Sequence, residues 1–276
     1  MSAARPTFSP APFDAVAARY DETFTNSQIG QAQRKAVWSE LLQAFRPGDK
    51  VLEIGCGTGV DACYLAENGV RVVACDVSTE MINLATRRIH ERGLEEYVKA
   101  VVLRAEGISA LPSPSFDGAF SNFGALNCIE SPPRFARDLA RLLKPGARAL
   151  LCWMGRYCLW EMIWYLAHGN GQKAFRRLRR DRITASIGGG AFVSVHYPSV
   201  RSLRRAFAPE FNMKSIKGIG LTVPPSYLEP WAADHPRLMG LGELADTWMG
   251  GCPGTRVLAD HILVGFERES DVRSRG

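Results

Sequence analysis

The segment Val51-Leu52-Glu53-Ile54-Gly55-Cys56-Gly57-Thr58-Gly59 constrains this chain more than any other. A short apolar run with a β-branched bias, stopped by clustered glycines and followed by a helical pattern, reads as a buried strand, a tight turn and a helix. Glycine serves two needs there: the turn demands dihedrals that other residues resist, and a ligand must approach the backbone closely. Asp76 lies 21 residues after Gly55, at the tip of the next apolar run. A carboxylate there can accept hydrogen bonds from both hydroxyls of a ribose. The glycines run G-x-G-x-G rather than G-x-G-x-x-G, so the third is not placed for a pyrophosphate-binding helix. Glu53, just before the turn, would repel a pyrophosphate and suits a ligand carrying an ammonium and a sulfonium.

The strand–helix rhythm continues around this turn. Residues 29–45 carry Val37, Leu41, Leu42 and Phe45 at helical spacing, closed by Pro47-Gly48. Strands are expected over 50–54, 70–75, 98–103, 116–122 and 147–153, and helices over 61–69, 79–92 and 133–143, with Ser78 or Thr79 as an N-cap. After residue 153 the rhythm breaks. Residues 157–182 read as a long helix or helix pair, 199–207 as a helix, and 211–221 and 256–267 as two last strands. Repeated strand–helix units with apolar strands argue for an α/β fold, a Rossmann-like, seven-stranded, mostly parallel sheet with helices on both faces. One domain over 1–276 is expected, with an N-terminal lid and helix at 1–45 and a cofactor-binding core at 46–155. Insertions at 156–197 and 222–256 would form a cap, and 198–221 and 256–268 would supply the final helix and strands of the core. Ligands of open α/β sheets bind at the carboxyl ends of strands, so insertions at those ends would close over the site.

Composition narrows the class. The 276 residues are 46% hydrophobic and 22% charged, as in ordinary globular proteins. No apolar run reaches the roughly 18–20 residues that span a bilayer. Residues 2–12 read as a flexible leader without the apolar stretch of a secretory signal. Seven cysteines at irregular spacing, with no C-x-x-C pair, indicate neither a zinc knuckle nor a redox dithiol; they read as small buried hydrophobes in a reducing cytoplasm, and no metal is expected. The net charge of +6 comes mostly from Lys173–Arg182, where six basic residues meet one acid. That stretch reads as a solvated helix face, with an anionic acceptor, a carrier-protein surface or an anionic membrane as alternatives. Nothing in the sequence sets the oligomeric state.

Four segments in register, VLEIGCGTG (51–59), VVACDVSTEMI (72–82), FDGAFSNFGALN (116–127) and LARLLKPGARALL (139–151), resemble the class I S-adenosylmethionine-dependent methyltransferases. The resemblance covers most of residues 13–153. FDAVAARYDETF (13–24) also looks like the lid of the ubiquinone/menaquinone-type and small-molecule members. The resemblance implies that Gly55, Cys56, Gly57 and Gly59 cradle the methionine and ribose portions of S-adenosylmethionine. It implies further that Glu53 supports the amino-acid end, Asp76 holds the ribose diol, and Val77 and Met81 sandwich the adenine. Ala105 and Glu106 would edge the adenine, Asn122 and Phe123 would meet the methionine moiety and face the acceptor, and Tyr20 would close over the cofactor. The chain departs from many relatives at Arg104, where they carry an acid that receives the adenine amino group; Glu106 or the backbone would take that role.

His196 and Tyr197, between the first insertion and the next helix, are the candidate catalytic residues, His196 as a general base and otherwise as a loop histidine. His261 reads as structural. Trp160, Trp164, Tyr197, Tyr227 and Trp231 in the cap favour a small apolar or aromatic acceptor, methylated on oxygen, nitrogen or carbon by in-line transfer. Nucleic acid is disfavoured: basic residues cluster once, and Asn122-Phe123-Gly124-Ala125 stands where amino-methylating enzymes carry an Asn-Pro-Pro-Tyr motif. An RNA or carrier-bound substrate, or a cofactor-binding protein without transfer, are the rival readings.

Overall fold

The computed structural model describes residues 11–113 and 115–270. Of the expected leader, residues 2–10 lie outside the described residues, while Pro12 already opens a tight turn, Pro12–Ala15. The chain continues through α1 (Ala17–Tyr20), a widened helical turn at Asp21–Thr25, and α2 (Gln28–Ala44). The alternating part comprises β1 (Lys50–Ile54), α3 (Val60–Glu67), β2 (Arg71–Asp76), α4 (Thr79–Glu91), β3 (Val98–Val102), β4 (Phe116–Ser121), α5 (Pro132–Leu142) and β5 (Leu143–Met154). Then come α6 (Leu159–Ala167), α7 (Gly171–Ala174), β6 (Ile183–Gly188), β7 (Ala191–Val195), α8 (Val200–Phe207), β8 (Phe211–Ile219), α9 (Glu229–Asp234), α10 (Pro236–Met249) and β9 (His261–Arg268).

Seven strands form one sheet in the order β3-β2-β1-β4-β5-β9-β8. The first five are parallel, and β9 enters antiparallel between β5 and β8. Alternation in β1 shows why both faces must be covered. Leu52 and Ile54 join a core layer with Phe116, Phe135, Leu151 and Phe207, whereas Val51 joins the opposite layer with Val37, Leu41, Val72 and Phe120. Helices α5 and α8 cover the first face and α2 and α3 the second. Ser78 caps α4, its hydroxyl accepting from the Met81 N–H at 3.1 Å. Parallel connectivity brings Gly55, Asp76, Asn122 and Met154 to one edge of the sheet. Because β9 is antiparallel, its first residue, His261, pairs with Met154 at that same edge.

The second half departs from the sequence reading. Of the long helix or helix pair expected over 157–182, α6 stops at Ala167, where Gly169 takes a φ of 71°, and the four-residue α7 follows. The basic stretch that read as a solvated helix face instead turns two arginines inward. Arg176 Nε donates to Glu161 Oε1 at 2.6 Å, and Arg177 Nε donates to Glu161 Oε2 at 3.0 Å. Arg177 Nη2 also donates to Asp260 Oδ1 at 2.7 Å. Glu161, Arg177 and Asp260 are all buried. Burial opposes the charge on Arg177, but Asp260, Cys158 and Glu161 raise its pKa well above the usual arginine value. Arg182 is likewise occupied, donating to the carbonyls of Ile129, Cys128 and Ser194.

The hairpin β6–β7 was not expected. Its signals were a triple glycine, Gly188-Gly189-Gly190, all at positive φ, between two alternating segments whose burial also alternates. The last strand starts at His261, not 256, because residues 256–258 form a tight turn. Among the described residues no helix is long and apolar enough to cross a membrane.

Removing one partner of a buried ion pair leaves an uncompensated charge, at a cost of about 3–5 kcal/mol. Arg177→Met is therefore expected to lower the unfolding free energy by that amount, read from urea titrations. Arg179→Met, on an exposed residue of the same stretch, should leave it within about 0.5 kcal/mol.

Candidate functional site

The glycine turn is built for close approach. Gly55, Gly57 and Gly59 have φ of 73°, 53° and 75°, all left-handed. The N–H groups of Gly55 and Cys56 both donate to the Cys75 carbonyl, at 2.7 and 3.0 Å, which pins the turn to the end of β2. A Cβ on Gly55 would lie 2.2 Å from the Ala125 Cβ, and one on Gly59 would lie 2.8 Å from the Ala85 Cβ. At Gly57 the nearest atom to such a Cβ is Tyr20 Cε1, at 3.9 Å. Tyr20 from the N-terminal segment thus covers the open face of the turn.

Asp76 accepts from the Gly57 N–H at 3.0 Å and the Ser78 N–H at 2.9 Å. Burial raises its carboxyl pKa, and those backbone donors hold the rise down. An ionised carboxylate has about four acceptor positions, so two more donors can be received. Leu103 N–H donates to the Asp76 carbonyl at 2.8 Å, bringing the 105–110 turn alongside. There Glu106 Oε1 accepts from the Glu130 N–H at 3.4 Å. Val77 is half-buried and Met81 is fully enclosed, 1% exposed.

Glu53 is 1% exposed and shares its face of β1 with Val51. Burial pushes its carboxyl well above the ordinary range; Asp61 adds to the rise and Arg34 opposes it. Asp61 is a hub, accepting from Arg34 Nη1 and Trp38 Nε1, each at 2.7 Å, and from Asn122 Nδ2 at 3.0 Å. Three buried atoms around this hub have no hydrogen-bond partner: Glu53 Oε2, Asn122 Oδ1 and Arg34 Nε. Phe123, next along the chain, has φ of 52° and is the single non-glycine residue at positive φ among the described residues. A row of rings crosses the edge from the glycine turn, Tyr20 to Phe24 at 5.7 Å, Phe24 to Phe123 at 5.3 Å and Phe123 to His261 at 5.6 Å. The Arg34 guanidinium lies over both Phe24 and Phe123.

The N-terminal segment is clasped to this edge by acids that sequence reasoning passed over. Asp14 accepts from the Ser78 hydroxyl, and Asp21 accepts from the Thr58 hydroxyl at 2.7 Å and pairs with Arg88. Burial pushes the Tyr20 phenol up to about 12, with Arg34 opposing. Arg34, Asp61 and Asn127 were also passed over. Arg34 and Trp38 stand one helical turn apart, a spacing that signals a shared face but not its partner. Their partner Asp61 lies in another helix.

His196 is tied to the 125–128 turn. Its N–H donates to the Asn127 carbonyl at 2.9 Å, and its own carbonyl accepts from Asn127 Nδ2 at 2.7 Å. Its half-buried ring titrates below the usual histidine value, through burial and then through Arg182 and Arg156. Tyr197 is packed beneath the Arg177 guanidinium, 5.3 Å from its ring centre. A cavity of about 370 Å³ opens elsewhere, between α2, β8 and α10, beside Gln33, Ile219 and Val223.

Residues 52–151 match the family model described as a methyltransferase domain. Demethylmenaquinone methyltransferases from Clavibacter sepedonicus and Mycobacterium marinum are 34% and 35% identical over 144 residues, each match covering 51% of this chain. The chain spans 56% of the length of these curated relatives. Among solved structures, the cyclase SpnF aligns with a TM-score of 0.61 at 17% identity, over 93% of this chain and 94% of that one. An S-adenosylmethionine-dependent methyltransferase from Mesorhizobium loti aligns with a TM-score of 0.57 at 16% identity, over 87% of this chain and 100% of that one. These structures share the fold. Residues 52–151 are thus similar to methyltransferase domains. Gly55→Ala is expected to destabilise this domain by more than about 1 kcal/mol, since it adds both a clash and a strained φ; thermal unfolding checks it.

Proposed function

We propose that the chain transfers a methyl group from S-adenosylmethionine to a small, hydroxylated aromatic acceptor of the quinol kind. The observation that carries the cofactor half is the set of orphaned buried atoms beside the glycine turn. Glu53 Oε2 and Asn122 Oδ1 are acceptors without a donor, and Arg34 Nε is a donor without an acceptor. An amino-acid group, with its ammonium and its carboxylate, satisfies both kinds at once. Asp76 retains room for the two ribose hydroxyls, and the positive-φ glycines let the ligand reach the backbone. The cofactor when bound supplies an electrophilic methyl on a sulfonium.

In this reading Gly55, Cys56, Gly57 and Gly59 cradle the cofactor, with Val77, Met81, Ala105 and Glu106 on its adenosine side. Asn122 and Phe123 stand at its methionine side, and Tyr20 closes over it and excludes water. Adenosine over β2 and β3 leaves the other half of the edge, above β4, β5 and β9, to the acceptor. The aromatic row there, and relatives named demethylmenaquinone methyltransferases, support a quinone-like ring. Arg176, Arg177 and Arg182 are occupied inside the cap, which speaks against a nucleic-acid track. Five buried free cysteines suit a reducing, cytoplasmic setting.

Calorimetry with S-adenosylhomocysteine, followed by transfer of a labelled methyl group to a panel of quinols and to RNA, tests this reading. Binding and labelled quinol are expected; label on RNA alone would sink the small-molecule acceptor. Asp76→Asn should weaken cofactor binding by roughly 1.5–3 kcal/mol through lost charge-assisted bonds to the ribose. Glu53 adds a pH dependence. Its raised carboxyl favours the folded chain in acid, a contribution lost as pH climbs from about 4 toward the elevated value. A bound ammonium displaces that proton, so affinity should rise with pH over this range. Binding heats should then differ between buffers of unlike ionisation enthalpy, and Glu53→Gln should abolish the difference.

A further inference from the structure

A ring hydroxyl becomes a strong nucleophile once its proton is taken, so a base within reach of the acceptor speeds transfer. Few ionisable groups lie on the acceptor half of the edge. Asp260 is committed to Arg177 at 2.7 Å. Tyr197 lies buried under the same arginine. His196 is tied through its backbone to Asn127, and burial with Arg182 and Arg156 holds its ring below the usual histidine value.

His261 is placed differently. It begins β9 at the carboxyl edge, paired with Met154 on one side and Ile219 on the other. Its ring meets the edge of Phe123, the positive-φ residue that follows β4. The side chain is 8% exposed, and its Nδ1 lies 3.3 Å from Asp260 Oδ2 without completing a hydrogen bond. The charged groups around the ring are Asp260 just before its strand, Arg177 from the 176–178 turn, and Arg34 from α2, which lies over Phe123. Met154 and Ile219 bring no charge.

We propose that His261 is the general base of the reaction, oriented by Asp260, which Arg177 and Gln33 hold in place. The proposal rests on the acceptor reading above. The acceptor O–H bond breaks, and an N–H bond forms on the imidazole. The freed oxygen pair becomes the bond to the methyl, while the C–S pair stays with the departing thioether. The imidazolium then returns its proton to water. The buried ion-pair cluster beneath the cap thereby acquires a purpose beyond packing: it fixes the base against the acceptor.

The test uses the full chain, its His261→Gln and His261→Asn variants, and 4-nitrophenol as a chromogenic stand-in for the acceptor. Calorimetry with S-adenosylhomocysteine is expected to give the same dissociation constant for all three, which certifies the fold and the cofactor site. In the wild type, nitrophenol bound beside S-adenosylhomocysteine should absorb as phenolate at a pH where the free phenol is mostly neutral; in both variants that absorbance should fall. Methyl transfer to a quinol should drop at least about 100-fold, and the acidic limb of the kcat/KM profile should disappear. Equal phenolate absorbance in the variants, or transfer within threefold of wild type, would overturn the assignment. A wild type that ionises bound nitrophenol through His261 yet methylates no hydroxylated ring would leave His261 standing as a base and remove the quinol reading instead.

Discussion

Buried negative charge at the carboxyl edge of the sheet is the constraint on which the rest of this structure depends. Glu53, Asp61 and Asp260 are all enclosed there, and Asp76 is largely so. Isolated carboxylates in such surroundings are costly unless paired or protonated. Each acid meets the requirement in its own way. Asp61 takes Arg34, Trp38 and Asn122; Asp260 takes Arg177; Asp76 takes backbone N–H groups; burial pushes the Glu53 carboxyl well above its ordinary range. The acid without a partner is the one beside the glycine turn, where a cationic ligand group would arrive.

The same requirement shapes residues 156–197. A guanidinium carries five donors in a rigid fork, so one arginine can hold two carboxylates from separate elements. Arg177 does this for Glu161 of α6 and Asp260 before β9, and it also donates to the Asp260 carbonyl at 2.9 Å. The segment around it cannot remain a helix while both arginines point into one acid. This is why a run that looks uniformly basic along the chain sends Arg176 and Arg177 inward while Lys173, Arg179 and Arg180 stay exposed. Arg182 extends the effect, tying the hairpin to the carbonyls that follow the 125–128 turn. The hairpin tip in turn reaches Ala15 and Val16 of the N-terminal segment.

The core was legible because its signals are local. Strand alternation, glycines at a turn and a serine cap each act within a few residues, and the elements from β1 to β5 fall within a residue or two of their expected ends. The exception is the start of β5 at Leu143, since Gly146 interrupts the strand pattern without ending the strand. The cap was less legible. Leu159 to Arg182 has helical composition, but Gly169 at positive φ ends α6, and Glu161 with the distant Asp260 draws the arginines inward. The triple glycine of the hairpin was a readable signal that helical composition upstream obscured.

The sequence by itself determined the strand–turn–helix at residues 50–67, the acid at Asp76 and the alternating α/β plan, because backbone sterics and hydrophobic periodicity decide these within short windows. Tertiary structure alone decided that Arg34 meets Asp61, that Arg177 meets Asp260, and that His261 stands at the edge facing Phe123. Residues 34 and 61 are 27 positions apart and 177 and 260 are 83 apart. No short-range pattern encodes such pairings, since they follow from where the packed sheet brings buried charges together.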